Sequence, residues 1–507
     1  MSHLVIVPIL LPLLAAILQL LTSRHGIRFQ RALGLLSTLA LIPICITLLT
    51  STLDGSYQVY ALGDWPAPFG IVLVLDRLSA LLLLLTSGLA LFSLIYALNG
   101  FDQAGKHFHV LFQMQLMGLN GAFLTGDLFN LFVFFEILLI ASYGLLLHGG
   151  GPQRSRAGIQ YVVLNLAGSA LFLIAIGTLY GTVGTLNIAD LAVKVAGAGE
   201  EQHMLIHISA LLLLTVFGLK AALLPLYFWL PGAYSAASAP VAALFAIMTK
   251  VGVYSIIRVF TVIFGIEAGQ LANVIEPWLL PAGLATLALG VFGVLASRCL
   301  RTQAAYFVVT SVGTMLAGVG LFSVEGLGAA LYYLPHSTVV TASLFLLADM
   351  IASQRGKTGS MIEPTTAVSQ PLLLGTLFFI AGAAVLGLPP LSGFIGKLLL
   401  LQASQHATLM AWFWAAILIS SLLGLIALSR TGSTVFFKTQ APASEQTQAH
   451  PLSLAAVVAL LAISPLLVVF AGPVSDFTTA TAQQLMDPMN YIGGVLEPQT
   501  HVDGVMP

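Results

Sequence analysis

Long apolar segments, separated by short polar ones, recur along nearly the whole chain. A helix needs about 20 apolar residues to cross the roughly 30 Å hydrocarbon core of a bilayer. Breaks marked by glycine, proline and charged residues divide the chain into fourteen predicted membrane spans. The predicted spans lie near residues 4–22, 31–51, 71–97, 108–126, 128–148, 159–182, 204–236, 240–264, 276–296, 302–322, 327–354, 371–404, 411–430 and 451–472.

The composition also indicates an integral membrane protein. Of 507 residues, 58% are hydrophobic and only 7% are charged, whereas soluble domains carry about 25% charged residues. A net charge of −1 gives no reason to expect a nucleic-acid partner. The two cysteines have no second ligand nearby and no cofactor motif is present, so we predict neither a metal nor a cofactor. The N-terminal segment lacks a cleavage site and is typical of a retained first helix.

Two predicted spans, the seventh and the twelfth, are too long for one crossing and contain prolines near their middles. Proline removes a backbone donor and clashes with the preceding turn, so both helices should be interrupted. The two spans are five apart, and an odd offset inverts orientation, which is typical of inverted repeats. The alternative is that the prolines only kink packed helices.

We therefore predict an all-α, polytopic membrane protein with two inverted five-helix repeats and two broken helices. Its predicted domains are the first three helices at 1–107, the repeats at 108–264 and 276–430, and a last helix with a polar tail at 451–507. The tail, from Val474 onwards, contains no further predicted span, and we expect a surface segment or a partner contact.

The distribution of basic residues predicts which side of the membrane each loop faces. Loops after odd-numbered spans hold twelve lysines and arginines, whereas the opposite loops hold only Lys194. Because cytoplasmic loops carry the excess of positive charge, this asymmetry predicts that both termini lie outside the cytoplasm.

Four ionisable side chains lie well inside predicted spans: Glu136, Lys220, Lys250 and Lys397. Each costs roughly 2.5 to 3.5 kcal/mol at a bilayer centre, or about 12 kcal/mol together, so they should face a protein interior or a wet cavity. A carboxylate that approaches or leaves a buried lysine changes its proton affinity. We therefore interpret the four as a proton relay, the alternative being structural salt bridges.

Other polar residues in the spans are assigned weaker roles. His336 is the only histidine well inside a span, and its intrinsic pKa suits proton exchange, although a neutral packing role is the alternative. Asp76 and Arg77 are expected to pair locally or to orient a helix. Arg258 is expected to be an exit-side group or a snorkelling anchor, and the role of Asp349 stays open.

Three segments carry a resemblance to a known family. These are TGDLFNLFVFFEILLIASYGLLLHG at 125–149, GLKAALLPLYFWLPGAYSAASAPVAALFAIMTKVGVYSIIR at 218–258, and LPPLSGFIGK at 388–397. They resemble the glutamate motif and the broken-helix lysine motifs of antiporter-like subunits shared by Mrp-type cation/proton antiporters, respiratory complex I and membrane-bound hydrogenases. Within that superfamily the chain is most similar to the D subunits of Mrp (Pha, Mnh) antiporters.

The resemblance implies that Glu136 and Lys220 form a coupling pair, with Lys250, His336 and Lys397 along a central hydrated path. Family members often carry a lysine after the histidine, and here Thr341 takes that place, so that part of the path is expected to run through water. Implied partners are A, C and small hydrophobic subunits, protons, and sodium or another monovalent cation, in a bacterial inner membrane. The alternatives are a proton-pumping subunit of complex I or a hydrogenase, and a structural scaffold.

Overall fold

A computed structural model describes residues 2–439 and 448–496 as a bundle of α-helices with one small β-hairpin. Apolar residues fill the helices, and glycine, proline or a polar cap separates most of them. The helices are α1 Val7–Leu21, α2 Ile27–Thr50, α3 Arg77–Ala97, α4 Phe108–Leu124, α5 Leu128–Leu147, α6 Pro152–Val183, α7 Ile188–Ala196, α8 Glu200–Ala221, α9 Trp229–Ala236, α10 Ala239–Phe245, α11 Met248–Val262, α12 Glu276–Ala296, α13 Leu300–Val319, α14 Val324–Ser353, α15 Pro371–Leu386, α16 Ser392–Ala403, α17 Met410–Gly432, α18 Pro451–Val469, α19 Ala471–Met486 and α20 Pro488–Leu496.

Within the described residues, eleven helical segments are long and apolar enough to cross a membrane, with α10 and α11 counted as one. The protein is therefore a multi-pass membrane protein. The outer helices expose large apolar side chains, such as Leu36 on α2 and Phe379 on α15. By contrast, the most apolar windows of α10–α11 and of α14 are buried completely. Polar groups on these inner helices thus face protein rather than lipid, as insertion energetics require.

Two helices are interrupted where the prolines predicted it. The first break, residues 222–228, separates α8 from α9, and the second break, residues 387–391, separates α15 from α16. Both α8 and α15 end with a residue in the left-handed conformation, Ala222 (φ 65°) and Gly387 (φ 77°). The next amide then bonds back to the carbonyl five residues earlier, at 2.8 Å and 2.9 Å. This capping pattern stops a helix while satisfying its last carbonyls.

Two pairs of loops are joined by matching backbone hydrogen bonds. The α4–α5 and α6–α7 connections exchange bonds between Leu128 and Leu186 and between Ile188 and Gly126, both 2.9 Å long. The α12–α13 and α14–α15 connections exchange equivalent bonds, from the Leu300 amide to Ser360 and from the Ile362 amide to Arg298, both 2.8 Å long. The same loop contact therefore occurs twice in the chain.

Three segments differ from the sequence prediction. The start of the third predicted span is not helical, because strands β1 (Gln58–Ala61) and β2 (Val72–Leu75) pair there as an antiparallel hairpin before α3 begins. Helix α7 was not predicted, since nine residues are too few for a span. The polar tail, expected to be a surface segment or a partner contact, forms α19 and α20, whose buried faces pack on the bundle. Residues 497–507 lie outside the described residues.

Candidate functional site: a line of polar side chains

The predicted relay residues lie on helices that contact one another in sequence. Glu136 is on α5, Lys220 on α8, Lys250 on α11, His336 on α14 and Lys397 on α16. Direct contacts join α5 to α6, α6 to α8, α8 to α11, α11 to α13, α13 to α14 and α14 to α16. The structure thus brings all five predicted residues into one connected row of helices.

Glu136 and Lys220 are linked through α6 rather than bonded to each other. Ser169 donates a hydrogen bond to the Glu136 carboxylate, and the Lys220 Nζ donates to Asn165 Oδ1 at 3.3 Å. Ser169 and Asn165 are one turn apart on α6, and Ser169 Oγ also bonds the Asn165 carbonyl at 3.0 Å. No salt bridge within 4.0 Å joins the described Glu136 carboxylate to the lysine. The two side chains are therefore bonded to neighbouring turns of α6.

Lys220 also contacts an aromatic ring. Its Nζ lies 5.7 Å from the centre of the Phe135 ring, the residue before Glu136. Only 5% of Lys220 is exposed. A cation over a ring face is stabilised modestly, by about 0.5 to 2 kcal/mol. The ring and one amide oxygen are far weaker partners than a paired carboxylate, so the site leaves this amine sensitive to the charge on Glu136.

Lys250 lies beside Lys220 on the adjacent helix. A Cβ atom at Gly252 would meet the Ala221 amide nitrogen at 2.4 Å, so α8 and α11 pack backbone to backbone there. The amine of Lys250 is fully buried and donates to Ser311 Oγ on α13 at 3.2 Å. It makes no salt bridge with any residue that the structure describes. Buried lysines without a carboxylate are costly, which marks Lys250 as a functional candidate.

His336 is fully buried on α14 and is held by two serines. Its Nδ1 is 2.7 Å from Ser392 Oγ, at the start of α16, and that oxygen is 2.8 Å from Ser464 Oγ on α18. The other ring nitrogen, Nε2, lies close to the Ala384 carbonyl near the end of α15, although this contact falls outside strict hydrogen-bond limits. It also faces Gly393, where a Cβ atom would come within 2.7 Å of it. This nitrogen is therefore directed towards the backbone beside the second break.

Lys397 is bonded to the backbone at the second break. Its Nζ donates to the Leu386 carbonyl, at the end of α15, at 2.7 Å and to Ser421 Oγ on α17 at 2.8 Å. The stem of the lysine crosses the backbone at Gly387, where an added Cβ would lie 2.8 Å from Lys397 Cδ. A carbonyl freed by the interruption thus solvates the amine, as the proline pattern predicted.

Thr341, the residue at the usual lysine position, does not join this line. Its hydroxyl donates to the Ser337 carbonyl of its own helix at 2.7 Å. A hydroxyl that donates to a carbonyl of its own helix already has a hydrogen-bond partner and does not need one on a neighbouring helix.

Asp76 and Arg77 do not pair with each other, contrary to one expectation. Asp76 forms a bidentate ion pair with Arg258, at 2.7 and 2.8 Å, and also caps α3 through the Ser79 amide. Arg77 instead donates to backbone carbonyls. Arg258 is 3% exposed, so it is not a snorkelling anchor. Tyr254 and Tyr491 place their rings 5.4 and 5.3 Å from its guanidinium.

Two further charged clusters lie near other helix ends. Asp349 pairs with Arg301 and accepts a bond from the Tyr96 hydroxyl at 3.0 Å. Asp102, in the α3–α4 loop, pairs with Arg31 at 2.7 Å and with His109 at 3.1 Å. Burial alone would raise the pKa of Asp102, but hydrogen bonds from His109 and Arg31 outweigh burial and lower that pKa to about 2. The sequence analysis missed this second cluster, in which Arg31 is 71 positions from Asp102.

The comparisons with known proteins show the family of the chain. A family model described as NADH:quinone oxidoreductase/Mrp antiporter, TM, matches residues 125–424, which include all five relay residues. The chain belongs to this family. The resemblance that the sequence motifs indicated is therefore confirmed.

Individual family members match over almost the whole chain. The chain is 42% identical over 535 residues to the D subunit of a probable K(+)/H(+) antiporter of Rhizobium meliloti (strain 1021), covering 98% of both chains. It is 38% identical over 508 residues to the D subunit of the Na(+)/H(+) antiporter of Bacillus subtilis (strain 168), covering 98% of this chain and all of that one. A chain in the Mrp complex structure from Dietzia sp. DQ12-45-1b superposes with a TM-score of 0.87 at 27% identity, covering 98% and 99%.

The chemistry available along the line is proton transfer. Amines, an imidazole, a carboxylate and hydroxyls can each accept or donate protons, and no group of three or more His, Cys, Asp or Glu able to hold a metal occurs in the part of the chain that the structure describes. The sequence analysis missed the polar partners Asn165, Ser169, Ser311, Ser392, Ser421 and Ser464. The i, i+4 spacing of Asn165 and Ser169 on an apolar helix is the signal that indicates such a pair.

Proposed function

We propose that this chain is the proton-conducting subunit of a multisubunit monovalent cation/proton antiporter. Protons move along Glu136, Lys220, Lys250, His336 and Lys397, with Glu136 tuning the first amine. The observation that carries this proposal is the contact of Lys220 with Asn165 and of Glu136 with Ser169, one turn apart on α6. Because the carboxylate is near the amine but unbonded, a small shift of α6 or α5 changes the proton affinity of Lys220.

The chain is also proposed to contain two inverted repeats, at 108–264 and 276–430. The two helix breaks and the twice-repeated loop contact support this arrangement. It gives fourteen membrane crossings when each broken helix is counted once, and the loop charges then place both termini outside the cytoplasm. Cysteine labelling of intact cells at Lys194→Cys and Arg156→Cys tests the orientation, since only the first should react with an impermeant reagent.

The partners follow from the same proposal. Relatives named as D subunits of antiporters and a relative within an Mrp complex support assembly with other membrane subunits, among them A, C and small hydrophobic subunits, in a bacterial inner membrane. Purification of the tagged chain and identification of its companions tests this. Small hydrophobic subunits alone support the antiporter, whereas companions with flavin or iron–sulfur centres would support a redox-driven pump.

Transport is tested in everted vesicles that contain the assembled complex. Glu136→Gln and Lys220→Met should each reduce cation-dependent proton flux by at least about tenfold, an effect of the size expected when a proton-transfer group is lost. Glu201→Gln, which removes an exposed carboxylate at the start of α8, is the matched control and should leave flux unchanged. Normal flux in both relay variants, with the complex assembled, would overturn the proposal.

A further inference from the structure

The hydrogen bonds around His336 have a fixed direction that begins at a backbone amide. The Ser392 N–H, which can only donate, bonds to Ser464 Oγ at 3.2 Å. The two serine hydroxyls are 2.8 Å apart, and Ser392 Oγ is 2.7 Å from His336 Nδ1. All three side chains are fully buried. The donor and the acceptor of each bond can therefore be assigned by finding the arrangement that gives the most buried hydroxyl hydrogens an acceptor.

Only one arrangement gives the Ser464 hydroxyl hydrogen an acceptor. Within the described part of the chain, Ser464 Oγ bonds only to the amide and the hydroxyl of Ser392. If Ser464 donates to Ser392, then Ser392 must donate to His336 Nδ1. The reverse order leaves the Ser464 hydrogen without an acceptor among the described residues, and buried polar groups without a partner are rare in native proteins.

We propose that Ser464 and Ser392 are proton-relay positioning residues, which hold neutral His336 as the tautomer with its hydrogen on Nε2. In this tautomer the ring accepts at Nδ1 from the serines and presents an N–H towards the second break. The two serines keep their own protons. Ser392 fixes the orientation of the ring through Nδ1, so the proton that the neutral ring can exchange is the one on Nε2.

The Nε2 side of the ring packs closely on Gly393. An added Cβ there would lie 2.7 Å from Nε2 and 2.3 Å from the Ala384 carbonyl, so only glycine fits. Lys397, four residues further along α16, is the next amine on that helix. The serines on one side of the ring therefore determine that the nitrogen on the other side carries the hydrogen. Ser464 lies on α18, outside both proposed repeats, so a helix without a predicted relay residue positions one.

The tautomer can be measured directly by nitrogen NMR of the histidine-labelled complex in membranes. The His336 signals are identified by their loss in His336→Gln. We expect the neutral ring of the wild-type protein to carry its hydrogen on Nε2, and Ser464→Ala to produce a mixture of both tautomers. Ser464→Thr, which keeps the hydroxyl, should restore the wild-type spectrum. A hydrogen on Nδ1 in the wild type, or an unchanged spectrum in Ser464→Ala, would overturn the assignment.

The effect on flux rests on the proposed transport function and is measured separately. Ser464→Ala should lower cation-dependent proton flux by at least about tenfold, and Ser464→Thr should recover most of it. Ser453→Ala is the matched control, because Ser453 is buried on the same helix and its hydroxyl has no partner among the described residues. Normal flux in Ser464→Ala with the expected tautomer change would overturn the relay role alone, whereas normal flux also in Lys220→Met would overturn the transport function.

Discussion

Lys220 precedes its helix break, whereas Lys397 follows its own, and the two amines have different partners. At the first break the Trp229 indole donates to the Leu219 carbonyl at 3.0 Å, and Lys220 donates to the amide oxygen of Asn165. At the second break the lysine itself takes the Leu386 carbonyl.

The surrounding charge also differs. Glu136 is one helical turn from the Lys220 site, through Ser169 and Asn165. Lys397 contacts a hydroxyl and a carbonyl and forms no salt bridge with a described residue. A carboxylate that moves can therefore tune the first amine, while the second has a fixed and neutral environment. We therefore propose that coupling acts at the first break and that the second break passes protons on.

Among the variants that test this difference between the two breaks, a change at Asn165 is expected to reduce flux the most. Asn165→Leu keeps the volume on α6 but removes the only hydrogen-bond acceptor that Lys220 has among the described residues, so the amine should lose its proton or move towards Glu136. Cation-dependent proton flux should fall by at least about tenfold. Thr178→Val on the same helix, whose hydroxyl bonds its own backbone, is the control and should conduct normally. Normal flux in Asn165→Leu would show that α6 does not set the first site.

Giving the second break a carboxylate should make it resemble the first. Ser421→Asp places a negative charge beside the Lys397 amine, and an adjacent opposite charge favours the protonated form. The amine should hold its proton more tightly, so flux should fall severalfold, by about 3- to 10-fold if the extra attraction is about 0.7 to 1.4 kcal/mol. Ser421→Asn, of similar size but neutral, should have a smaller effect. Equal losses in both variants would indicate a steric cause.

Exchanging glycine and alanine at the left-handed residue of each break should change the stability of the protein in opposite directions. Gly387→Ala places a Cβ at a positive φ and against the Lys397 stem, which should destabilise the protein by about 1 to 2 kcal/mol. Ala222→Gly removes the same strain at the first break and should be neutral or slightly stabilising, because the added chain entropy opposes the gain. Melting temperatures in detergent measure both. A lower melting temperature for Ala222→Gly would contradict this expectation.

The Asp102 cluster lies outside both breaks and serves as a control for the comparison between them. Because the pKa of Asp102 is lowered to about 2, its contribution to stability is present above about pH 4 and is lost as the pH falls through about 2. That contribution is at most about 2 kcal/mol. Arg31→Gln should therefore lower the melting temperature at pH 7 more than at pH 3, and it should leave flux unchanged. A large loss of flux at pH 7 would mean that the cluster belongs to the transport path.

The sequence predicted most of the apolar spans, both helix breaks and the five ionisable positions, because charges and prolines are conspicuous in apolar helices. Of these five, Lys220, Lys250 and His336 are buried, whereas Glu136 and Lys397 are partly exposed. It could not predict the neutral partners. Asn165, Ser311 and Ser464 are ordinary residues for a membrane helix, and only the packing of distant helices shows which of them face a relay group. The pairing of Asp76 with Arg258 was hidden for the same reason, since 182 positions separate the two residues. The β-hairpin was missed because its second strand is as apolar as the helix that follows it.

A measurement on a double variant tests most directly whether both breaks lie on one proton path. Lys220→Met, Lys397→Met and the combined variant are compared in proteoliposomes that contain the assembled complex, with cation-driven proton flux as the readout. For one path in series, each single variant should nearly abolish flux and the combined variant should be no worse than the lower of the two. If each single variant kept about half of the flux and only the combination removed it, the two lysines would serve separate paths, which would contradict the claim.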